Sequence, residues 1–359
     1  MEFDLQRFFD NFIQEIEKGN SQIYIDDNID KIKNCILSLA DIYKKYSKWI
    51  VLDKDFNKDV FINPKILTVG DIHADYESLK KIISIKLNYP ELILIFLGDY
   101  VDRGRYSNEI LILVILLNLI FPDTVFLLPG NHELYHYFGY QNPEFWIQNG
   151  KITKLFDSIR QLIEFMPIII SFNDILFIHG GVFDFNPEVK KDTEFINILK
   201  NEKGCRLNKL IFLDKDKVFD ISWADFADNY KDAIYSRSLG RPVKTEEDFL
   251  KWKNYFGFNM IIRGHQPLLK GSCFGKKVIT LITSSLYKNI GRMDGLLTCL
   301  IYNKKQLSFD ENEKKISDEI KLVFNKFSQA NKKDIDDNFI KEKIFTNDFE
   351  VDLVDIESY

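Results

Sequence analysis

The chain has 359 residues, 45% of them hydrophobic, which is enough to fill the core of one large domain or two small ones. Its formal net charge of −6 leaves no basic excess to neutralise a phosphate backbone, so no nucleic-acid partner is expected. No run of about 18 uncharged apolar residues occurs, so no transmembrane segment is expected either.

The N-terminus and the cysteines bear on where the protein works. Charged side chains occur early in the chain, at Glu2, Asp4, Arg7 and Asp10, which a Sec-type signal peptide would not tolerate. The cysteines are widely spaced, which favours a reducing compartment over a disulfide scaffold or a cysteine-based zinc site. We therefore expect a cytoplasmic protein. Export as an effector by a non-Sec route stays open, because such a signal is not readable from sequence.

Residues 1–62 are predicted to form an N-terminal helical segment. Apolar residues recur at helical spacing from Phe3 to Glu17 and from Ile29 to Trp49, and Gly19-Asn20-Ser21 separates the two stretches. Neither stretch contains a chemical motif. A regulatory, a targeting and a packing role are all open for this segment.

An α/β catalytic domain is predicted over residues 63–302. Short β-rich runs alternate with helical stretches from Lys65 onward, as in successive βαβ units. A hairpin with its turn at Asn173-Asp174 follows. Residues 186–257 are irregular, charged and aromatic and are predicted to be an insert, after which β-rich runs resume at Met260.

Residues 303–359 are predicted to be a charged C-terminal extension. A helix is predicted over about 318–327 from the local pattern. The last fifteen residues contain five acids and no base. A segment of this composition buries little apolar surface, so we expect it to be solvated and partly disordered.

Polar residues that can bind metals follow five of the predicted strands. Four of the five histidines lie at these strand ends, within three positions of a glycine. Because ligands bind outside the carboxyl ends of strands in open α/β sheets, we expect the five clusters to converge. The clusters are Gly70-Asp71-Ile72-His73, Gly98-Asp99-Tyr100-Val101-Asp102-Arg103-Gly104, Gly130-Asn131-His132-Glu133, His179-Gly180-Gly181 and Arg263-Gly264-His265-Gln266.

This ordered set of motifs resembles the phosphoprotein phosphatase (PPP) family of the calcineurin-like metallophosphoesterases, over about Lys65 to Tyr302. The resemblance implies an α/β fold of the four-layer αββα type, with two mixed β-sheets flanked by helices. It also implies two divalent metal ions bridged by Asp99. The implied ligands are Asp71, His73 and Asp99 for one ion, and Asp99, Asn131, His179 and His265 for the other.

Nitrogen and oxygen ligands of this kind suit Mn²⁺, Fe or Zn²⁺ better than Mg²⁺, and we expect Mn²⁺ to support activity in vitro. The resemblance further implies attack by metal-bound hydroxide without a phosphoenzyme. His132 is expected to protonate the leaving group, with Asp102 orienting its ring. Arg103 and Asn131 are expected to bind the substrate phosphate.

A second phosphate-binding arginine is expected from the insert, with Arg237 preferred by its order and distance to His265 and Arg241 held in reserve. Tyr287 resembles the tyrosine that the family places beside its metals, although the residues flanking it differ.

The sequence departs from the family pattern at two further positions, Ala74, where the family usually has glycine, and Pro129, where many eukaryotic members have arginine. Gln266-Pro267 after His265 favours the PPP branch over phosphodiesterases and nucleases.

A competing motif overlaps the third cluster, because His132 to His136 matches the H-E-x-x-H pattern of zinc proteases. That chemistry needs both histidines in the middle of one helix, whereas Pro129 and Gly130 place His132 at a strand-to-helix turn. We expect the match to be coincidental and His136 to be a satisfied polar residue on the following helix.

The expected function is that of a serine/threonine protein phosphatase, with phosphoprotein as substrate and no identified regulatory partner. Hydrolysis of dinucleoside polyphosphates and of phosphotyrosine are the open alternatives. A non-catalytic scaffold is a third, which the complete set of ligands disfavours.

Overall fold

The computed structural model describes residues 3–56, 64–139, 144–148, 153–267, 271–289, 297–303, 340–345 and 349–355. Its helices are α1 Leu5–Glu17, α2 Ser21–Asp27, α3 Ile29–Tyr43, α4 Leu52–Asp55, α5 Tyr76–Asn88, α6 Ser107–Ile120, α7 Asn131–Phe138, α8 Glu144–Gln148, α9 Thr153–Phe165, α10 Lys190–Asn201, α11 Leu207–Leu213, α12 Lys215–Trp223, α13 Tyr230–Ser238, α14 Glu246–Phe256 and α15 Leu286–Asn289. None of the described helices is both long and apolar enough to cross a membrane.

The strands are β1 Trp49–Val51, β2 Ile66–Val69, β3 Ile93–Phe96, β4 Val125–Leu127, β5 Ile169–Phe172, β6 Ile175–Ile178, β7 Asp225–Phe226, β8 Val243–Lys244, β9 Met260–Arg263, β10 Ser272–Cys273, β11 Val278–Thr280, β12 Leu297–Asn303, β13 Ile340–Phe345 and β14 Phe349–Asp355. They form two six-stranded sheets, ordered β1-β5-β6-β9-β11-β10 and β13-β14-β12-β2-β3-β4, and a small pair of β7 with β8. Both large sheets contain parallel and antiparallel neighbours. The expected α/β fold with two mixed sheets and flanking helices is confirmed.

The strands that lead to the predicted metal ligands are buried throughout. All residues of β2, β3 and β4 are buried, and these three strands run parallel. Continuous apolar runs of this kind are typical of parallel strands covered on both faces. An isolated bridge between Asp71 and Ile282 joins the end of β2 to the chain that follows β11, so the two sheets approach each other beside these strand ends.

The N-terminal segment is helical as predicted, but it is not separate from the catalytic domain. Helix α1 packs on α6, and α3 packs on both α6 and α9. Strand β1 also lies within this segment and pairs in parallel with β5, at the edge of a catalytic sheet. The buried residues of both regions belong to one continuous hydrophobic core.

The described parts of the C-terminal extension form strands of a sheet, whereas a solvated tail was expected. Strand β14 pairs antiparallel with β12 along seven residues, and β13 pairs with β14. The sequence explains this, because Phe349, Val351 and Leu353 alternate with Glu350 and Asp352, which is the two-residue period of a strand. The predicted boundary at 302 therefore falls inside a sheet, and the helix predicted near 318–327 lies outside the described residues.

The buried side chain of Lys48 ties the N-terminal segment to α9. Its Nζ donates to the backbone carbonyl oxygens of Glu164 and Met166, at 2.5 and 2.8 Å.

Lys48→Met leaves both buried acceptors without this donor, and we expect it to lower the free energy of unfolding by about 2 kcal/mol. Urea denaturation measures the change. Lys45→Met, at an exposed position three residues earlier, should stay within about 0.5 kcal/mol of the parent chain, and equal stability of the two variants would contradict the role of Lys48.

Candidate active site

All six predicted metal ligands are buried and lie at the carboxyl ends of strands, where the two sheets meet. Asp71 and His73 follow β2, Asp99 follows β3, and Asn131 follows β4. From the other sheet, β6 and β9 bring His179 and His265 to the same place. Two groups of potential ligand atoms each lie within 4.8 Å of one another, and Asp99 belongs to both: His73, Asp99 and His132, and Asp99, His179 and His265.

At the first group, one buried polar atom of His73 and one of the neighbouring Asp71 have no hydrogen-bond partner among the described residues. His73 uses Nδ1 for a hydrogen bond to the Val101 carbonyl oxygen, at 2.9 Å. Its Nε2 then faces the two carboxylates, 3.5 Å from Oδ2 of Asp99 and 3.7 Å from Oδ2 of Asp71. His73 Nε2 and Asp71 Oδ2 are the atoms left without a partner. Buried polar atoms are almost always satisfied, so a pair of them aimed at one point fits a cation.

The second group is arranged around the side-chain oxygen of Asn131. This oxygen lies 2.9 Å from Nε2 of His179 and 2.7 Å from Nδ1 of His265. The other ring nitrogens meet backbone carbonyl oxygens, His179 Nδ1 at Leu97 and His265 Nε2 at Trp223. Such bonds fix the ring orientation of metal-binding histidines and leave the inward nitrogen unprotonated.

The electrostatics of the cluster favour divalent cations. Burial raises the pKa of Asp71 and the pKa of Asp99 to about 7. Burial also lowers the pKa of His179 to about 4 and the pKa of His265 well below its usual value. These two histidines therefore supply no positive charge to the two carboxylates, while neutral imidazoles and carboxylates are the donors that divalent ions need.

His132 lies beside the cluster, and both of its ring nitrogens have polar neighbours. Its Nδ1 lies 2.6 Å from Oδ2 of Asp102, and its Nε2 lies 3.3 Å from the Tyr135 hydroxyl and 3.4 Å from Arg103. The other Asp102 oxygen accepts from the backbone N–H of Phe145. Asp102 therefore fixes the orientation of the His132 ring, and Nε2, 3.8 Å from Oδ2 of Asp99, is the nitrogen that faces the cluster.

Helix α7 begins at Asn131, so His132 is its second residue and does not lie mid-helix as a zinc protease requires. The ring of His136 instead packs against Trp146, with the ring centroids 4.8 Å apart. The H-E-x-x-H match is coincidental. The expectation that His136 is a satisfied polar residue is wrong, because neither of its ring nitrogens has a hydrogen-bond partner among the described residues.

Glu133 is the residue whose role the motif pattern alone did not reveal. Its carboxylate accepts from the backbone N–H groups of Gly130, Asp99 and Tyr100, at 2.7, 2.9 and 2.9 Å. It thereby holds Asp99 in a left-handed conformation, with φ of 55°. A glutamate at the third position of a helix is a known capping signal, and that signal was present in Gly130 to Glu133.

Close backbone approaches explain two of the motif glycines. A Cβ on Gly98 would lie 2.2 Å from the backbone nitrogen of Gly130, and one on Gly264 would lie 2.4 Å from Oδ1 of Asp71. Ala74, which departs from the family pattern, still adopts φ of 58° and donates its N–H to the Tyr100 carbonyl oxygen at 2.8 Å. The departure therefore leaves the turn in place.

The structure reverses the expected order of the two insert arginines. Arg237 is exposed on α13, whereas Arg241 lines a small pocket together with Arg103 and Tyr287. Arg241 also lies 3.4 Å from Oδ2 of Asp225, a buried residue that no sequence motif singled out. The physical reason is that α13 turns by about 100° per residue, which directs position 237 away from the pocket.

Tyr287 is buried at this pocket, and its hydroxyl is hydrogen-bonded to the guanidinium of Arg103. Arg103 and Arg241 thus lie at the rim of the cluster around Asp99, where an anionic ligand can reach both. The pocket combines fixed positive charge with an adjacent acid and two candidate cation positions, an arrangement that suits phosphoryl transfer.

The part of the chain that carries these strand ends matches a known protein family. Residues 64–268, more than half of the chain, match the family described as Calcineurin-like phosphoesterase. The chain belongs to this family. It is therefore a metallophosphoesterase, and the family implies divalent metal ions of the kind that the buried donors fit.

Similar proteins confirm the PPP resemblance predicted from the motifs. A serine/threonine-protein phosphatase of Caenorhabditis elegans is 26% identical over 238 residues, which cover 64% of this chain and 49% of that protein. The chain thus spans about half the length of this relative. A catalytic subunit of protein phosphatase 2A from Dictyostelium discoideum is 25% identical over 304 residues, or 76% of this chain and 85% of that protein.

A solved structure supports the fold. It is a serine/threonine phosphatase of Saccharomyces cerevisiae, described as similar to human phosphatase PP5. It superposes with a TM-score of 0.55 at 18% identity, over 76% of this chain and 82% of that one.

Substitution of Asp99 tests the cation site. We expect Asp99→Asn to lose most bound Mn²⁺, because Asp99 is the carboxylate shared by both groups. Saturating Mn²⁺ at 100 times its Kd should stabilise the parent chain by about 2.7 kcal/mol but leave this variant nearly unchanged. Metal content and melting temperature, with and without chelator, are the readouts. The exposed Asp123→Asn should behave as the parent, and normal Mn²⁺ binding by Asp99→Asn would refute the assignment.

Glu133→Ala tests whether the turn at Asp99 depends on this carboxylate. Three buried backbone N–H groups lose their acceptor, so we expect a loss of about 3 kcal/mol in unfolding free energy and weaker Mn²⁺ binding. Chemical denaturation and metal titration measure the two effects. A variant that kept both properties would show that the turn holds without Glu133.

Proposed function

We propose that the protein is a dinuclear, metal-dependent serine/threonine protein phosphatase that works with Mn²⁺ in vitro. The single observation that carries the proposal is the His132–Asp102 pair, 2.6 Å apart, beside the donor cluster centred on Asp99. The serine/threonine phosphatases among its relatives support the substrate class. Phosphoserine and phosphothreonine have poor alkoxide leaving groups, which need a proton from an acid in this position.

Each residue of the pocket has a separate task in this proposal. Asp71, His73, Asp99, Asn131, His179 and His265 would hold two divalent cations. When bound, such ions lower the pKa of a bound water and neutralise charge on the phosphoryl group.

Arg103 and Arg241 bind the phosphoryl oxygens, since a guanidinium matches their geometry with two parallel hydrogen bonds. Tyr287 holds Arg103 through its hydroxyl. Asp102 accepts from Nδ1–H of His132. Its negative charge stabilises the imidazolium form of the ring, in which Nε2 also carries a proton that it can give to the departing oxygen.

His132→Ala should lower kcat by roughly 10²–10⁴ on a phosphothreonine peptide, because the leaving alkoxide loses its acid. The loss should be much smaller on p-nitrophenyl phosphate, whose leaving group needs no proton. Phosphate release and metal content are measured together with Mn²⁺ present.

His136→Phe, which keeps a ring on the same helix, should retain activity. Loss of metal from His132→Ala would mean that His132 is a ligand, and equal losses on both substrates would mean that it is not the acid. Diadenosine tetraphosphate and a phosphotyrosine peptide complete the panel. Hydrolysis of either one without hydrolysis of phosphoserine or phosphothreonine peptides would overturn the proposed substrate class.

A further inference from the structure

Helix α13 stands at the edge of the phosphate pocket and is held at both ends. It connects β7 to β8, which pair in parallel with Asp225 opposite Val243 and Phe226 opposite Lys244. The side chain of Asn229 caps its first turn by accepting from the N–H of Asp232, at 3.0 Å. Gly240, with φ of 72°, ends the helical path immediately before Arg241. The position of α13 is therefore tied to that of a phosphate-binding arginine.

The two faces of α13 differ in what they contact. Residues 232, 235, 236 and 239 line the pocket, which is the i, i+3, i+4, i+7 spacing of one helical face. We call Asp232, Tyr235, Ser236 and Leu239 the pocket face. Tyr230 and Ile234 lie on the opposite side of the helix, away from Arg103 and Arg241.

The pocket face exposes apolar surface next to a charged site. Tyr235 is 53% exposed and Leu239 is 49% exposed, and both line the same pocket as Arg103, Arg241 and Tyr287. A ligand whose phosphate is bound by the two arginines would bring its neighbouring groups against these side chains. Exposed apolar surface that continues a polar binding pocket is typical of a substrate-binding surface.

We propose that Tyr235 and Leu239 determine substrate specificity by binding an apolar side chain next to the phosphorylated residue of a protein substrate. This inference rests on the proposed phosphatase function and adds a substrate class to it. The apolar contact lies beside the reacting phosphate, so it contributes to binding the substrate and acts mainly on KM.

The charges of the pocket favour a peptide over a nucleotide as the occupant. Asp232 places a carboxylate on the pocket face, and Asp225 places another at the pocket wall, 3.4 Å from Arg241. The additional phosphates of a dinucleoside polyphosphate would meet these carboxylates and be repelled. A peptide with one phosphate and an uncharged apolar neighbour avoids this repulsion.

The test compares two phosphothreonine peptides of equal length and charge, with leucine or alanine on both sides of the phosphothreonine. The full chain with Mn²⁺ should cleave the leucine peptide with a kcat/KM about 5–10-fold higher, because more apolar surface is removed from water. In the double variant Tyr235→Ala, Leu239→Ala the ratio should fall to about one. The matched double variant Tyr230→Ala, Ile234→Ala, on the opposite face of the same helix, should keep the parent ratio.

Three results would overturn the inference: no preference in the parent chain, an unchanged ratio in the pocket-face variant, or an equal fall in the matched variant. A parallel assay with diadenosine tetraphosphate tests the alternative in which Tyr235 stacks on a nucleotide base. If the parent chain hydrolyses this compound and the Tyr235→Ala, Leu239→Ala variant does not, that result also contradicts the proposed peptide substrate. Cleavage of both peptides with equal efficiency would refute the specificity inference but not the proposed phosphatase function. If no phosphopeptide is cleaved, the inference and the proposed function are both refuted.

Discussion

The rest of the site depends on one constraint, which is that Asp71 and Asp99 are carboxylates buried where the two sheets meet. A buried carboxylate costs free energy unless charge or hydrogen-bond donors compensate it. Backbone N–H groups supply part of this compensation, from His265 to Asp71 and from His132 to Asp99. The divalent cations that the family implies would supply the remainder. The left-handed turns and the close glycine contacts at the strand ends keep the two carboxylates close enough to share that charge.

The convergence of the six predicted ligands was predictable because each lies within about four residues after the end of a strand, and strand ends meet at the edge of a sheet. What sequence order could not resolve was which side of a helix faces the pocket. Arg237 and Arg241 are only four residues apart, and the choice between them depends on where α13 ends and how Gly240 turns the chain. Glu133 was visible inside a motif together with its local partner Gly130, but its other two backbone partners, Asp99 and Tyr100, are brought to it only by the fold.

The terminal regions show a different limit of sequence interpretation. Net charge suggested a solvated C-terminal tail, but a strand needs apolar residues only at every second position, so acids on alternate positions hid the pattern of β14. At the other end, β1 is only three residues long and follows three helices, so it gave little periodic signal. In both cases the segment forms a strand because it pairs with a strand that is distant in sequence. Local composition gives little indication of such pairing.

The strand order β14-β12-β2 also has a consequence for biosynthesis. Strand β2, which ends next to Asp71 and His73, receives its neighbour β12 from residues 297–303, and β12 receives β14 from residues 349–355. During translation the β2 edge therefore stays open until residues 297–303 have left the ribosome, and β12 has a free edge until residues 349–355 follow. An open edge is a site for pairing with other chains, so a product that stalls before these residues are made is exposed to aggregation.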